Sequence, residues 1–275
     1  MSQGLPVAIE RPITDTDRAA LQAAVEILER ESFAERLTGL AGRQIGFAGR
    51  MIPTALQEVA ASAARRGLKS ALRVAISSLD RAAPARDASR LHLRLAAASG
   101  AIGGAVGLAS LPIELPVSTV IMLRSIADIA RREGEDLADP EATLACLQVF
   151  ALGGHAEEGN ILEGGYLAIR GLLAKSVSDA ARYVAATAVA DETAPVLVRL
   201  VALLSTRFGV IVSQKAAAQA APILGAFGGA AVNVAFTRHF QSLARGHFTV
   251  RRLERAYGRD IVYREYARMA GREAA

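Results

Sequence analysis

Two long uncharged stretches constrain this chain more than anything else in it. Residues 95–113 carry no charged side chain, and past a single acid, Glu114, the apolar character continues to residue 123. Residues 216–237 form the second stretch, bounded by Lys215 and Arg238. An uncharged run of about 20 residues either crosses a membrane or becomes a helix covered on every side. Both runs are interrupted, the first by Pro112 and Pro116, the second by Pro222. Both are studded with glycine: Gly100, Gly103, Gly104 and Gly107 in one, Gly225, Gly228 and Gly229 in the other. The pairs Gly100/Gly104 and Gly103/Gly107 have GxxxG spacing, which lets two helix backbones approach closely in lipid or in a tightly packed core. The stretches therefore read as two glycine- and proline-broken hydrophobic hairpins. What covers them, whether the chain's own helices, a partner or lipid, decides what the protein does.

The rest of the composition favours helix. Hydrophobic residues make up 52% of the 275 residues, and the mean hydropathy is +0.27. Alanine, leucine and arginine dominate, all good helix formers. There is no tryptophan, and seven of the phenylalanines and tyrosines (Phe227, Phe236, Phe240, Phe248, Tyr257, Tyr263 and Tyr266) follow residue 226, which places the densest subcore at that end. The net charge of +5 is carried by arginine; the only lysines are Lys69, Lys175 and Lys215. No basic run with interleaved aromatics tracks a phosphate backbone, so nucleic acid is not an expected partner. The lone Cys146 lies in an apolar run and reads as a small buried hydrophobe, not a nucleophile. The N-terminus lacks a basic segment followed by an apolar one, so no signal peptide is expected and the cytoplasm is the default.

Along the chain, residues 1–13 read as a disordered or extended arm, and residues 14–50 as an N-terminal helical segment. Thr14 or Thr16 caps a helix that runs to about Glu31. A glycine-spotted segment follows over residues 33–50, then a helix over residues 53–80 carrying Arg65, Arg66, Lys69 and Arg73. Pro84 breaks the pattern. The motif LPIELP (residues 111–116) predicts either the turn of a helical hairpin or a kink, with Glu114 at the tip or at the start of the next helix. Asp139-Pro140-Glu141 is a strong helix start, and that helix ends at Gly153-Gly154. Further helices are expected over residues 162–173, from Ser178-Asp179, from a cap at Asp191 to Arg207, and over residues 249–258 and 259–270. LRSIADIAR (residues 123–131) lies over TRHFQSLAR (residues 237–245) without a gap, matching Arg124 to Arg238. The whole is expected to be all-α: a single helical domain, residues 51–271, around the two hairpins.

Two blocks of sequence look familiar. LPIELPVSTVIMLRSIADIARREGEDLADPEATLACLQVFALGG (residues 111–154) resembles the central block of EcsC family proteins. AAPILGAFGGAAVNVAFTRHFQSLARGHFTVRRLERAYG (residues 220–258) resembles their C-terminal block, where the "HFxVRxLE" succession is the most specific part. The resemblance covers most of the chain after about residue 50. It implies a bacterial, mainly helical protein, cytoplasmic or peripheral at the inner membrane. The family's association with an ABC-transporter operon implies a possible partner, a membrane transporter, that the chain would serve as adaptor or regulator.

Little in the sequence points to a reaction. HExxH, paired CxxC, GxSxG and Walker A motifs are absent, so neither a metal nor a cofactor is expected. His155 with Glu157 and Glu158 forms a polar loop whose spacing matches no recognised metal site. His239 and His247 stand eight apart; with Glu254 they form either an acid/base or metal group, or packing and capping residues, and they are the weak catalytic candidates. Glu114, Arg124, Asn233, Arg238, His239 and Arg251 are polar residues inside or beside apolar segments. They either line the polar floor of an apolar cavity that holds a lipid headgroup or carboxylate, or pair among themselves, with Glu114 held by an arginine that fixes the two hairpins together. Arg124, Arg131, Arg132, Arg238 and Arg245, at the exits of the hairpins, suit anionic headgroups. The leading expectation is a non-enzymatic, membrane-associated protein that binds lipid or another apolar ligand, or inserts its hydrophobic hairpins into a bilayer. A transporter adaptor and a His/Glu hydrolase are the alternatives.

Overall fold

The two broken stretches fold as helices packed against one another. The computed structural model describes residues 12–30, 33, 54–78, 88–152, 165–187, 191–220 and 225–271, and 90% of it is helical. The glycine-spotted segment beyond Phe33, most of the N-terminal arm, Pro84, the loop at His155 and Pro222 lie outside the described residues. Among the described residues there are nine α-helices and no strands. They are α1 (Asp15–Arg30), α2 (Thr54–Ser78), α3 (Ser89–Val106), α4 (Leu111–Arg132), α5 (Pro140–Gln148), α6 (Gly165–Ala186), α7 (Pro195–Ala220), α8 (Gly225–Tyr257) and α9 (Arg259–Met269), with short 3₁₀ turns at Gly107–Ser110 and Val149–Ala151.

Helix α8 is the axis. It packs most extensively on α3, and also on α1, α4 and α9. Helix α2 lies between α4 and α7 on the other side of the core. Phenylalanines from three elements join these layers: Phe150, Phe208, Phe236 and Phe240 pack with centroids 5.0–6.0 Å apart, edge to face in three pairs, tilted between Phe150 and Phe240 and stacked between Phe208 and Phe236. Such pairs add to area burial because ring edges and faces carry opposite partial charge.

Glycine sets how closely the layers approach. A Cβ on Gly100 of α3 would stand 2.5 Å from the Gly229 carbonyl oxygen and 2.5 Å from Asn233 Cβ, both on α8. Only hydrogen fits there. Gly100, the first of the GxxxG glycines, thus packs one hairpin of this chain against the other, a use that spacing alone did not distinguish from lipid packing. A Cβ on Gly67 of α2 would meet Thr119 Oγ1 of α4 at 2.6 Å.

Several boundaries differ from the sequence expectation, each for a physical reason. The hairpin turn is the 3₁₀ segment Gly107–Ser110, closed by a hydrogen bond from Ser110 Oγ to the Gly103 carbonyl at 2.9 Å. LPIELP opens α4 with Glu114 in its first turn, the second of the two expected placements. Pro112 needs no amide there, and burial of Leu111 and Leu115 holds the helix through Pro116. Ser178-Asp179 starts no helix: α6 runs through it, and Asp179 pairs along the helix with Lys175 and Arg182. Asp191 caps a turn through Thr193 rather than α7 itself, and α7 continues past Arg207 to Ala220. Residues 249–258 form no separate helix, because α8 continues through Gly246, whose missing side chain makes room for Leu28 of α1. The starts at Thr14 and Asp139 are as expected, with side-chain oxygens accepting from the Asp17 and Glu141 amides at 3.2 and 2.9 Å.

The aligned segments 123–131 and 237–245 share a burial register: Arg124 and Arg238 are exposed, and the remaining matched positions are buried, apart from half-buried Asp128 and Arg131 and exposed Arg245. The two meet where Gln241 Nε2 donates to Ser125 Oγ at 2.8 Å.

Substituting Gly100→Ala should destabilise the protein by about 1–3 kcal/mol, since an added methyl must displace backbone. Gly171→Ala, in α6 with nothing near its Cβ position, should stabilise by about 0.5–1 kcal/mol through helix propensity. Chemical denaturation of both variants checks the contrast.

Candidate functional site

Polar groups gather in two places inside this apolar molecule. The first joins the hairpins. Lys215 of α7 donates from Nζ to Glu114 Oε1 at 2.7 Å, and Gln219, one turn on, donates to Oε2 at 3.2 Å. The side chains are 0% and 4% exposed. Lys215 Nζ also lies 4.8 Å from the centre of the Phe236 ring of α8, within the range of a cation–π contact. From α3, Gly103 clears the space: a Cβ there would stand 2.8 Å from Glu114 Oε2. Burial pushes the Lys215 ammonium down from the ordinary lysine value, and the Glu114 carboxylate opposes that. Glu114 does fix the hairpins together, but through a lysine, not an arginine.

The second gathering lies where the C-terminal part of α8 meets α4, α5, α6 and α9. Helix α4 ends on Gly134 at φ +82°, with the Gly134 amide bonding the Arg131 carbonyl and the Glu135 amide bonding that of Ala130. That left-handed ending sets Glu135 under α8. Arg251 grips Glu135 with two bonds of 2.8 and 2.9 Å, and Arg255 donates to the same carboxylate and to the Glu133 carbonyl. Burial alone would raise the Glu135 carboxyl; the bonds and charges of Arg251 and Arg255 outweigh it and hold the group below the usual range. Arg252 reaches Glu133 and Asp17, and Tyr257 donates to Asp17 at 2.6 Å, tying α1 to α8.

Beside this clamp, Arg170 of α6 forms a two-bond pair with Glu254, at 2.7 and 2.6 Å. Arg170 also donates to Tyr166 Oη at 3.4 Å, and Tyr166 Oη lies 2.9 Å from His247 Nδ1. Either the phenol or the ring donates in that contact, according to the imidazole tautomer. His247 Nε2 is buried and has no hydrogen-bond partner among the described residues. Burial, then the charges of Arg170 and Arg251, push His247 well below the ordinary histidine value. Burial raises Tyr166 to about 12.

The sequence candidates fall into separate environments. His247 and Glu254 are linked through Tyr166 and Arg170, whereas His239 is buried against the rings of Phe33 and Phe240, each with its centroid 5.4 Å away. Asn233 donates to the Ala96 carbonyl at 2.7 Å, bridging α8 and α3. Arg124 and Arg238 are exposed, Arg251 belongs to the Glu135 clamp, and Glu114 to the hairpin junction. Among the described residues no three His, Cys, Asp or Glu side chains stand close enough to share a metal ion. Cys146 is fully buried, and desolvation first, then Glu135, drives its thiol up to about 12, which leaves it unreactive.

This architecture carries a family signature. The model of the EcsC protein family matches residues 21–253. The chain belongs to the EcsC protein family. No curated protein and no solved structure matches it. The family match begins at residue 21, so it takes in α1, which the sequence reading left outside the resemblance. Sequence reasoning also missed Lys215, Glu135, Arg170 and Tyr166. Only Lys215 carried a usable signal, as one of three lysines in an arginine-rich chain, placed at the border of an apolar stretch. The EcsC chain has one described helix long and apolar enough to cross a membrane, α7, where residues 195–219 reach a mean hydropathy of 1.9; 56% of that window is buried inside the fold.

Lys215→Met should destabilise this EcsC protein by about 3–5 kcal/mol, because it strands the Glu114 charge; adding Glu114→Met should recover most of that loss. A denaturation double-mutant cycle reads both. The depressed His247 has a separate signature. Between the ordinary value near 6.5 and its lower folded value the unfolded state binds a proton that the folded state does not. Stability should therefore fall as pH drops below about 6.5, by up to about 1.4 kcal/mol per pH unit. His92, also lowered by burial, adds to the slope. His247→Gln should flatten it, as measured by urea denaturation from pH 7 to 5.

Proposed function

We propose that this protein is a peripheral membrane protein that seats the end of its α3–α4 hairpin in the interface of an anionic bilayer. The observation that carries this reading is the exposed apolar end of the hairpin. Ile102 is 72% exposed, Ile113 77% and Val117 52%, on the two sides of the 3₁₀ turn. Leu91 and Leu95 are also exposed, and with Ile102 they follow an i, i+4, i+11 pattern along one face of α3. Ile113, Val117 and Arg124 repeat that pattern on α4. Exposed apolar side chains grouped this way mark an interaction surface.

Charge supports lipid as the occupant. Exposed Arg94 lies eight residues before Ile102, and exposed Arg124 seven residues after Val117. At 1.5 Å per residue Arg94 stands about 12 Å behind Ile102, and Arg124 about 10 Å behind Val117 and about 16 Å behind Ile113. Interfacial helices bury their apolar faces by about 5–10 Å, so shallow seating of this end leaves both cations at the headgroups. Each inserted Ile or Val contributes at most about 1.5–3 kcal/mol, and each arginine near an anionic surface about 1 kcal/mol. The sum describes reversible attachment that needs both kinds of residue. Such attachment leaves the Glu114–Lys215 junction closed.

Ile113→Asp should lower binding to vesicles of phosphatidylcholine and phosphatidylglycerol at least tenfold in a flotation assay, with little change in thermal stability because the residue is exposed. Arg94→Glu/Arg124→Glu should weaken binding to anionic vesicles and abolish its salt dependence. Wild-type protein that stays off anionic vesicles at low salt would refute the reading. Retention of a transporter subunit in place of vesicles would put a protein partner there.

A further inference from the structure

A cavity of about 230 Å³ opens at the other end of α8, lined by Glu141, Arg170, Arg251, Glu254, Arg255 and Arg259. Arg251 lies 22 residues beyond Gly229, about 33 Å along the helix, so the cavity is remote from the hairpin end. Four guanidiniums from three helices converge on it. Their charge is incompletely matched. Arg170 is committed to Glu254, and Arg251 and Arg255 share the single carboxylate of Glu135. Arg259 makes no ion pair or hydrogen bond among the described residues. Counting Glu141, Glu254 and Glu135 against the four arginines leaves one positive charge in excess. A guanidinium has five N–H donors; Arg251 spends two on Glu135 through Nε and Nη2, which leaves Nη1 uncommitted.

Two further features favour an anion. Helix α9 begins at the cavity with Arg259, and its N-cap, Gly258 at φ +91°, supplies no side-chain acceptor. Its first amides are left for a ligand, and the helix end adds about half a positive charge, which Asp260 in the first turn partly offsets. Arg170 and Arg251 are themselves only 13% and 16% exposed, so they are held in place and little entropy is lost when a ligand binds. The volume is below the roughly 300 Å³ at which sites for drug-sized ligands begin. It suits a compact group, and planar guanidinium forks match phosphate oxygens.

We propose that this cavity binds the phosphate group of a phosphate monoester, with Arg259 and the uncommitted edge of Arg251 as direct donors and Arg170 and Arg255 as fixed flanking charge. A monoester carries about −1.5 to −2 at pH 7, which answers the local excess; a singly charged diester or carboxylate answers it less well. A free metabolite-sized monoester and a lipid headgroup both present this phosphate, and the two arms of the test separate them. Glu141 opposes either, so it weakens the site and sets its selectivity for the most highly charged anions. The site does not rest on the hairpin reading, because its residues and its test are separate.

The test is calorimetric titration of the full chain with glycerol 3-phosphate, against sodium sulfate and sodium acetate at matched ionic strength. A parallel arm measures binding to phosphatidylcholine vesicles with and without phosphatidic acid. Saturable binding of glycerol 3-phosphate in preference to acetate supports a free monoester. Binding confined to phosphatidic acid vesicles supports the lipid source, provided that Arg259→Glu removes it and Ile113→Asp does not remove all of it. Arg259→Ala should weaken either form of binding about tenfold or more, and Glu141→Gln should strengthen it several-fold. Arg259 is exposed at a helix end, so these variants should keep the parent's melting temperature, which is measured alongside. Absence of binding in both arms, or phosphate binding that Arg259→Glu leaves unchanged, overturns the proposal.

Discussion

The ion pair between Glu114 and Lys215 is the point on which the arrangement of the two hairpins depends. It draws in all four of their helices: Gly103 of α3 makes room for the carboxylate, α4 carries it, α7 brings Lys215 and Gln219, and the Phe236 ring of α8 lies against the ammonium. Two charges in an apolar interior cost several kcal/mol each to desolvate, and their attraction returns that only when the geometry is close. A buried pair of this kind is therefore weak evidence for stability and better evidence for register. Alanine- and glycine-rich helices can slide past one another with little change in apolar burial. Lys215 meets Glu114 in one alignment only, so sliding α7 by a turn would leave both charges unpaired.

Glycine and charge divide the task along α8. Near its N-terminal end α8 meets α3 without side chains between the backbones, and Asn233 spans the gap to the Ala96 carbonyl. Near its C-terminal end, the interface is made of long arginines that reach across to Glu133, Glu135, Glu254 and Asp17. Close contact fixes distance at one end, and directed two-bond pairs fix rotation at the other. Between them the phenylalanines fill the volume. The depressed Glu135 carboxyl follows from this geometry: it lies where the backbone of α4 turns at Gly134, and α8 brings two guanidiniums down onto it.

The sequence made the all-α class legible because apolar periodicity and capping residues act locally. Thr14 and Asp139-Pro140-Glu141 set helix starts within a few residues, and no tertiary contact opposed them. It failed where tertiary packing overrode a local signal. Ser178-Asp179 resembles a helix start, yet α6 runs through it with Asp179 paired along the helix; LPIELP is a true start, but burial of Leu111 and Leu115 carries α4 on through Pro116. Of the candidate site residues, His247, Arg251 and Glu254 do meet at one end of α8, because they lie at i, i+4 and i+7 on one helix. Their partners Tyr166, Arg170 and Glu135 come from distant segments, and nothing in one sequence ties those segments to α8. His239 shares the histidine chemistry but faces Phe33 and Phe240, a difference set by which neighbour packs there and invisible to residue type.

The same contrast explains how α7 can have the composition of a membrane span and the environment of a core helix. Length and hydropathy are sums over a segment, and they ignore where a single charge lies. Lys215 sits near the C-terminal end of α7, fully buried against Glu114, and Arg207 donates to the Ala151 carbonyl at 2.9 Å. Turning α7 outward to lipid would separate Lys215 from its carboxylate and leave Glu114 without its cation in the interior, a change that costs about 3–5 kcal/mol for such pairs. That is a large fraction of the roughly 5–15 kcal/mol that holds a domain folded. The α3–α4 end carries no such lock on its outer surface: Ile102, Ile113 and Val117 are already outside, and burying them elsewhere breaks no ion pair. Contact with an apolar surface is therefore least costly where side chains are already uncovered, at Ile102, Ile113 and Val117 or at Val198, Leu203 and Val210 of α7, and it does not require α7 to leave the fold.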